Sequence, residues 1–481
     1  MDIVTLFEQL ASEIFEAEEN FFTNPKDFYS LEKAVKSSTD SFAAAFIGSI
    51  LTGVNEAIYK SGFRNGQYTA QHTRKRTLIS AVGDIVFECT NYRKVSDKSY
   101  HYLLEEIIGI EKNEHFTEAA EVAILTEALK TSYQEATLAV PSKQRITKTT
   151  VMNKVHQIAE EIPVEAPSQK KECRYLFIEA DEDHVAEQHG RYPRLETNGS
   201  FISKLVYIYE YKMEVPRCKG RKQLVNKFYF GGLYQGRSGV ERLWKKVSAY
   251  IESAYDTDEL RKVYISGDGA GWIKTGANII DKAIYCADKF HLVKYINSAS
   301  NKLLDSADEV KSELYHMLYK RDRKGFKGLI DLMKYSTDGN KAVIDLESYV
   351  LGNWMAVMRT VHSNIVKGCS AEGHVSHVLS DRLSSRPKAW SQTGADRMSK
   401  LRCYERNYGT EKIIDLVRYS REQRKLKRTG TDEIDVKSLP LRSIKAEHYS
   451  QARSYIDRLH ATIPGLTARK AASIRNQLNL L

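Results

Sequence analysis

Apolar positions over the first sixty residues keep a helical rhythm: Leu6, Leu10, Ile14 and Phe15, then Leu31, Val35, Phe42 and Ala43 less regularly. Spacing of three to four residues predicts helices with one buried face. The period then drops to two. Residues 74–80 and 85–89 read as strands around a tight turn at Val82, Gly83 and Asp84, with Arg74, Lys75 and Arg76 opening the hairpin. Helical spacing returns over 118–129, 132–139 and 147–158. Thr147 suits an N-cap, so Lys148, Thr149 and Asn153 stand at a helix start. Helix-turn-helix proteins place that end in the major groove; a plain helical hairpin with a solvated basic face fits the same pattern. Residues 163–171, with Pro163, Pro167 and two lysines, read as a linker.

Beyond it the pattern predicts strands over 174–181, 202–211 and 228–233, a helix over 240–255, a strand over 262–266, a helix from Trp272 and a strand over 283–287. Three strands in a meander, followed by strands joined through helices, predict a ribonuclease-H-like mixed sheet covered by helices. Residues 290–365 keep helical spacing throughout and read as an all-α insertion. A helix follows over 370–383, and the chain beyond Arg397 is basic, with Arg418, Arg421, Arg424, Lys425, Lys427 and Arg428 close together. The expected organisation is α+β / α/β and multidomain. It comprises a helical region (1–60), a hairpin and helix-turn-helix-like DNA-binding region (61–162), the first part of the sheet domain (172–294), the insertion (295–365), a core helix (366–400) and a basic helical end (401–481).

Length and charge narrow the classes. With 481 residues there is room for about three domains. Lys and Arg number 72 against 62 Asp and Glu, a net +10, which favours a polyanionic partner. Six scattered cysteines without a CxxC point to neither a disulfide framework nor a zinc knuckle. The acidic, amphipathic start is unlike a signal peptide, and no run of 18 apolar residues stands out. The expectation is a cytoplasmic, reduced protein with no membrane partner.

Two acids follow apolar strands: Asp181 after RYLFIEA, on the same face as Glu179, and Asp268 between two glycines after KVYIS. Carboxylates at the ends of adjacent strands hold hard cations such as Mg²⁺, and two such ions serve phosphoryl transfer. Each alone also reads as a turn aspartate. Asp183 is the reserve for Asp181. The third acid expected is Glu372, at the edge of the stripe made by Ala371, Val375, Val378 and Leu379; its place near a helix start has a plain dipole explanation too. Cys369, His374 and His377 lack a fourth partner and do not match a zinc pattern.

At these residues the chain resembles the DDE transposases of bacterial insertion sequences, most closely the ISLre-type group. The resemblance is carried by IEADEDHV (178–185), GDGAGWIK (267–274), DKFHLVK (288–294) and CSAEGHVSHVLSDRLSSRP (369–387), with Trp390 and Ser391 after it. It implies a ribonuclease-H-like core with Asp181, Asp268 and Glu372 as catalytic, metal-binding acids, two Mg²⁺ or Mn²⁺ ions per active site, and no nucleotide cofactor. Asp288 and His291 match a signature of mutator-like relatives and imply a supporting role. The partners implied are double-stranded DNA, as element ends and target, and further copies of the chain in a dimer or larger synaptic assembly at the nucleoid. Arg74, Lys75, Arg76, Lys148, Thr149 and Asn153 fit end recognition. Arg382 and Arg386 fit phosphate near the cleavage point, and Trp390 fits either base stacking or core packing. Two other functions stay open: a domesticated, catalytically silent DNA-binding protein, and a ribonuclease-H-like nuclease directed by DNA structure.

Overall fold

The computed structural model describes residues 3–60, 66–111, 113–165, 167–188, 199–218, 222–366, 368–385, 388–427, 450 and 453. These belong to two compact units. One combines the chain up to Ala128 with Ser132–Val151 and the stretch from Val417; the other holds Leu129–Thr131 and Met152–Leu416.

The first unit opens with α1 (Ile3–Thr23) and α2 (Phe28–Lys60), followed by β1 (Tyr68–Ser80), β2 (Gly83–Lys94), β3 (Tyr100–His101), α3 (Leu103–Ile107) and α4 (Glu118–Ala128). Its core joins Ala44, Val54 and Ile58 of α2 to Leu78, Ile85, Phe87, Cys89 and Tyr92 of the hairpin. The hairpin is longer than its apolar run, pairing from Ser80↔Gly83 out to Tyr68↔Lys94. Its turn is Ala81-Val82, one step before the position read from sequence. Gly83 already lies in β2, at φ +115°, and the Ser80 hydroxyl closes the turn by accepting from Val82 N (3.2 Å) and donating to Gly83 O (2.7 Å).

By length and mean composition α2 is long and apolar enough to cross a membrane, although Ser, Gly, Thr and Asn break any continuous apolar run of 18. Here it lies on β2, where Asn55 donates to the Thr90 hydroxyl and accepts from the Thr90 amide. Between α4 and α5 (Lys148–His156) stands a single 3-10 turn, Glu135–Leu138, where the pattern predicted a helix. Thr147 does cap α5, accepting from Thr150 N at 3.2 Å.

The second unit is built on β4 (Tyr175–Ala186), β5 (Ser200–Tyr209), β8 (Phe228–Gly232), β9 (Lys262–Gly267) and β10 (Ala283–Ala287), with a small side hairpin of β6 (Tyr211–Glu214) and β7 (Lys222–Val225). The five-stranded order is β10-β9-β4-β5-β8. The β4–β5 and β5–β8 pairs are antiparallel, whereas β4–β9 and β9–β10 are parallel. The parallel steps need crossover helices, and α6 (Gly236–Ala254) and α7 (Gly271–Ile279) supply them. Leu243, Trp244, Val247 and Ile251 of α6 share a core with Leu176, Ile178 and Ala180 of β4 and Val263 and Ile265 of β9.

Helices α8 (Lys289–Ser300), α9 (Ala307–Lys320), α10 (Arg323–Ser336), α11 (Lys341–Gly352) and α12 (Trp354–Val361) form the expected all-α stretch, and their buried residues continue the same core. The chain then returns along β4 as α13 (Ala371–Val375), a π-helical turn (Ser376–Ser380) and α14 (Asp381–Leu383). Helix α15 (Gln392–Tyr408) packs on β8 and β5, and α16 (Ile413–Lys427) follows. The molecule is therefore a mixed α+β protein.

Candidate active site

Alternation along β4 sends Leu176, Ile178 and Ala180 into the α6 core and leaves Glu179, Asp181 and Asp183 on the opposite face. Strand β4 does not end at Asp181, as expected, but runs on to Ala186 with Asp181 paired to Leu205 and Asp183 to Ser203. Its parallel ladder with β9 finishes at Glu179↔Ser266. Asp181 lies two residues further along β4 and Asp268 just past the end of β9, near enough for the charge of Asp268 to act on the Asp181 carboxyl. Gly267 makes this close approach possible: a Cβ there would come within 2.8 Å of the Ala180 carbonyl oxygen. The Asp268 carboxylate accepts from Ala270 N at 2.9 Å, which fixes the loop into α7.

The electrostatics follow from this crowding. Burial, aided by the charge of Asp268, pushes the Asp181 carboxyl up to about 6 against the backbone N–H of Glu182 that favours its ionised form. The next strand adds the counter-charge. Asp288 follows β10, donates its N–H to Gly267 O at 3.1 Å, caps α8 by accepting from Phe290 N, and holds His291 Nδ1 at 2.6 Å. That hydrogen bond raises the His291 pKa, and the charges of Asp288, Asp268 and Asp181 act in the same direction. Asp181, Asp268, Asp288 and His291 thus lie along the carboxyl end of the parallel strands, the usual ligand position in open sheets. Asp183 is engaged elsewhere: one carboxylate oxygen accepts from Ser380 Oγ (3.0 Å) and Ser384 Oγ (2.7 Å).

Glu372 is not drawn into this group. Its side chain is exposed on α13, and among the described residues no three His, Cys, Asp or Glu side chains gather as a metal-holding set. The segment that carries it is nevertheless tightly held. Glu179 meets its start at Ser370, Arg402 donates to the carbonyls of His377 and Val378 in the π turn, and Asp183 meets its end. Two fixings escaped sequence reasoning altogether. The Trp272 indole donates to Glu182 at 2.7 Å, tying the Asp268 loop to β4, and Arg402 adds a bond to Leu129 O at 2.6 Å. A hint was present in the tryptophan of GDGAGWIK, whose indole N–H needs an acceptor once it leaves water.

Against known proteins, the family model described as "Uncharacterised protein family (UPF0236)" matches residues 22–419. The chain belongs to that family. Two UPF0236 proteins of Caldanaerobacter subterraneus subsp. tengcongensis illustrate the kinship. One, named under TTE0033 and ten further designations, is 32% identical over 402 residues, spanning 82% of each chain. The other, TTE2489, is 32% identical over 385 residues, spanning 79% of each. Among solved structures, a chain of the Drosophila P element transposase strand transfer complex aligns with 73% of this chain and 93% of its own length, at 12% identity and a TM-score of 0.21.

The basic residues singled out in this UPF0236 chain fall into three groups. Lys75 is exposed, as are Lys148, Thr149 and Asn153 on α5. Arg76 is half-buried, paired with Glu105 and donating to Glu114 O at 2.6 Å, while Arg74 lies over the Tyr102 ring at 4.3 Å and 3.7 Å from Glu105. Arg76 braces the hairpin from within, whereas Arg74 stays exposed beside Glu105. Arg382 and Trp390 are buried against each other, 4.8 Å apart, and the Trp390 indole donates to Leu383 O. Core packing, rather than base stacking, is thus what Trp390 does here. Arg386 lies outside the described residues.

Proposed function

We propose that this protein is a DDE-type transposase with a ribonuclease-H-like catalytic core, cutting DNA at the ends of an insertion sequence and joining them to a target. The observation that carries the reading is Asp181 on β4 near Asp268 just past the end of β9, its parallel neighbour. The sheet supports it: counting its strands from β4 in chain order gives 5-4-1-2-3, with the second antiparallel to the first and third. The eleven designations under one relative's name, within one strain, also agree with a sequence that copies itself.

The chemistry of the donors fits a hard divalent cation, because two carboxylates are held together in partial burial and Asp181 is left with an unfavourable charge balance. Asp181 and Asp268 would hold Mg²⁺ or Mn²⁺, with Glu372 as the further carboxylate, and the bound ions supply activation of the attacking oxygen and stabilisation of the leaving one. Asp288 orients His291, whose other ring nitrogen is then left to meet a phosphate oxygen. Lys148, Thr149 and Asn153 on α5 read the element ends, and Lys75 meets the backbone. Such work places the protein at the nucleoid, in an assembly that brings two ends together.

A second reading is favoured by one observation. The exposure of Glu372, outside the aspartate pair, suits a silent DNA-binding descendant. Strand cleavage and joining on labelled duplexes copied from the gene's own flanks, with Mg²⁺ or Mn²⁺, separates the two. The expected result is cleavage at defined ends by wild type and none by Asp268→Asn, which still binds the same DNA. Cleavage that survives in the variant removes the aspartate pair from the chemistry. Specific binding without cleavage by wild type selects the silent protein, and cleavage of branched duplexes without end preference selects the structure-directed nuclease.

A further inference from the structure

Glu179 is a carboxylate that the proposed chemistry does not use, yet it is 1% exposed and the most heavily bonded acid near the site. Lone buried carboxylates cost several kcal/mol unless paired and fully hydrogen-bonded. This one is satisfied on both oxygens. Oε1 accepts from Tyr209 OH (2.6 Å) and Lys212 Nζ (2.9 Å), while Oε2 accepts from the Tyr207 hydroxyl and from both the amide (2.6 Å) and the hydroxyl (2.9 Å) of Ser370. Lys212 completes the set by donating to Gly368 O at 2.8 Å.

The partners have a direction. Tyr207 and Tyr209 come from β5 of the sheet and Lys212 from β6 of the side hairpin that follows it, whereas Gly368 and Ser370 lie just before α13. Glu179 therefore joins the sheet to the start of the segment that bears Glu372. It is also two residues before Asp181 on the same strand, so one strand carries both a site acid and the anchor of the helix opposite. An apolar contact would bury area equally well but would allow the helix to slide; the two directional bonds from Ser370 to the carboxylate, with that from Lys212 to Gly368 O, set its register.

We infer that Glu179, with Lys212, is a positioning residue that fixes the register of the Glu372-bearing segment against β4, so that the third acid is delivered to the aspartate pair when DNA is bound. The inference rests on the transposase reading for its catalytic consequence, but not for the anchoring itself.

The test uses the full-length chain and the near-isosteric Glu179→Gln, with Lys212→Met as a second variant that removes the tie to Gly368 by another route. Hydrogen exchange reads the anchor without DNA. Amides of 370–375 are expected to exchange about ten-fold faster or more in both variants, with β4 and β9 as protected as in wild type. End cleavage is expected to fall at least about ten-fold in kcat with little change in KM for DNA, and Glu179→Asp, which keeps the charge, is expected to recover part of it. Unchanged exchange at 370–375 in variants that fold overturns the anchor. Released exchange with wild-type kcat overturns the positioning role. A wild type inert on every duplex overturns the transposase reading instead, and the exchange result then still decides for or against the anchor.

Discussion

His374 sits neutral among rings. Its Nδ1 meets the Tyr229 hydroxyl at 2.8 Å, and its ring lies 4.4 Å from that of Tyr207. Burial is the main reason that its pKa is pushed down to about 4. The unfolded chain therefore takes up a proton near pH 6.5 while the folded chain resists until about pH 4, and stability falls with falling pH across that window. The loss expected from this residue is up to about 3 kcal/mol. Urea unfolding at pH 7.5 and 4.5 checks it: His374→Gln, which cannot charge, should show a shallower acid loss than wild type. Equal losses in the two proteins would assign the acid sensitivity to other groups. At this scale the aspartate pair was legible, because Asp181 and Asp268 each follow an apolar run. Glu179 was not. A carboxylate inside a strand looks like ordinary alternation, and its partners Tyr207, Tyr209, Lys212 and Ser370 come from separate stretches of chain.

Among the elements, the strands of the sheet were readable almost to their ends, except that β4 outran its apolar stretch. Asp181, Glu182, Asp183 and His184 look like a loop in sequence; pairing with β5 and the serines of the π turn accommodates them within a strand. The π turn itself has no sequence signature, since it depends on a residue outside the helix. Widening the helix over Ser376–Ser380 disturbs the regular carbonyl ladder, and the planar fork of Arg402 reaches His377 O at 2.8 Å and Val378 O at 2.5 Å. Replacing it by methionine keeps the volume but strands those acceptors. Arg402→Met is expected to cost about 3 kcal/mol or more in denaturant unfolding, and Arg402→Lys nearly as much, because an ammonium cannot span the fork. A loss below about 1 kcal/mol in both would mean that water replaces the guanidinium freely. Helix α5 makes a different demand. Lys148→Ala should weaken specific DNA binding by roughly 1–3 kcal/mol if the side chain touches a base edge, and an unaltered ratio of specific to random binding would exclude α5 as the reader.

Across the whole chain, a net charge of +10 invites the assumption that every basic cluster meets DNA. The α16 cluster shows otherwise. Arg421 is half-buried against the buried Glu121, which it reaches at 2.7 Å, and lies 3.9 Å from Glu114; Arg418 meets Glu118 at 2.9 Å, and Arg424 lies 3.8 Å from Glu111. Sequence could not reveal this, because the acids precede the bases by some 300 residues and each run looks like a solvated face by itself. The consequence is measurable. Removing the partner of the buried Glu121 leaves its charge uncompensated, so Arg421→Met should destabilise the fold by about 3–5 kcal/mol. It should leave the dependence of DNA affinity on salt unchanged, since that slope counts phosphates neutralised by the protein and loses about one unit per contact removed. Lys75→Ala, by contrast, should lower the slope while leaving stability within about 0.5 kcal/mol, as befits an exposed side chain. If the arginine variant lowered the slope and unfolded like wild type, Arg421 would belong to the proposed DNA surface; with its pairs in place Arg421 faces carboxylates, and the proposed DNA contacts fall to side chains that remain exposed, such as Lys75, Lys148 and Lys425.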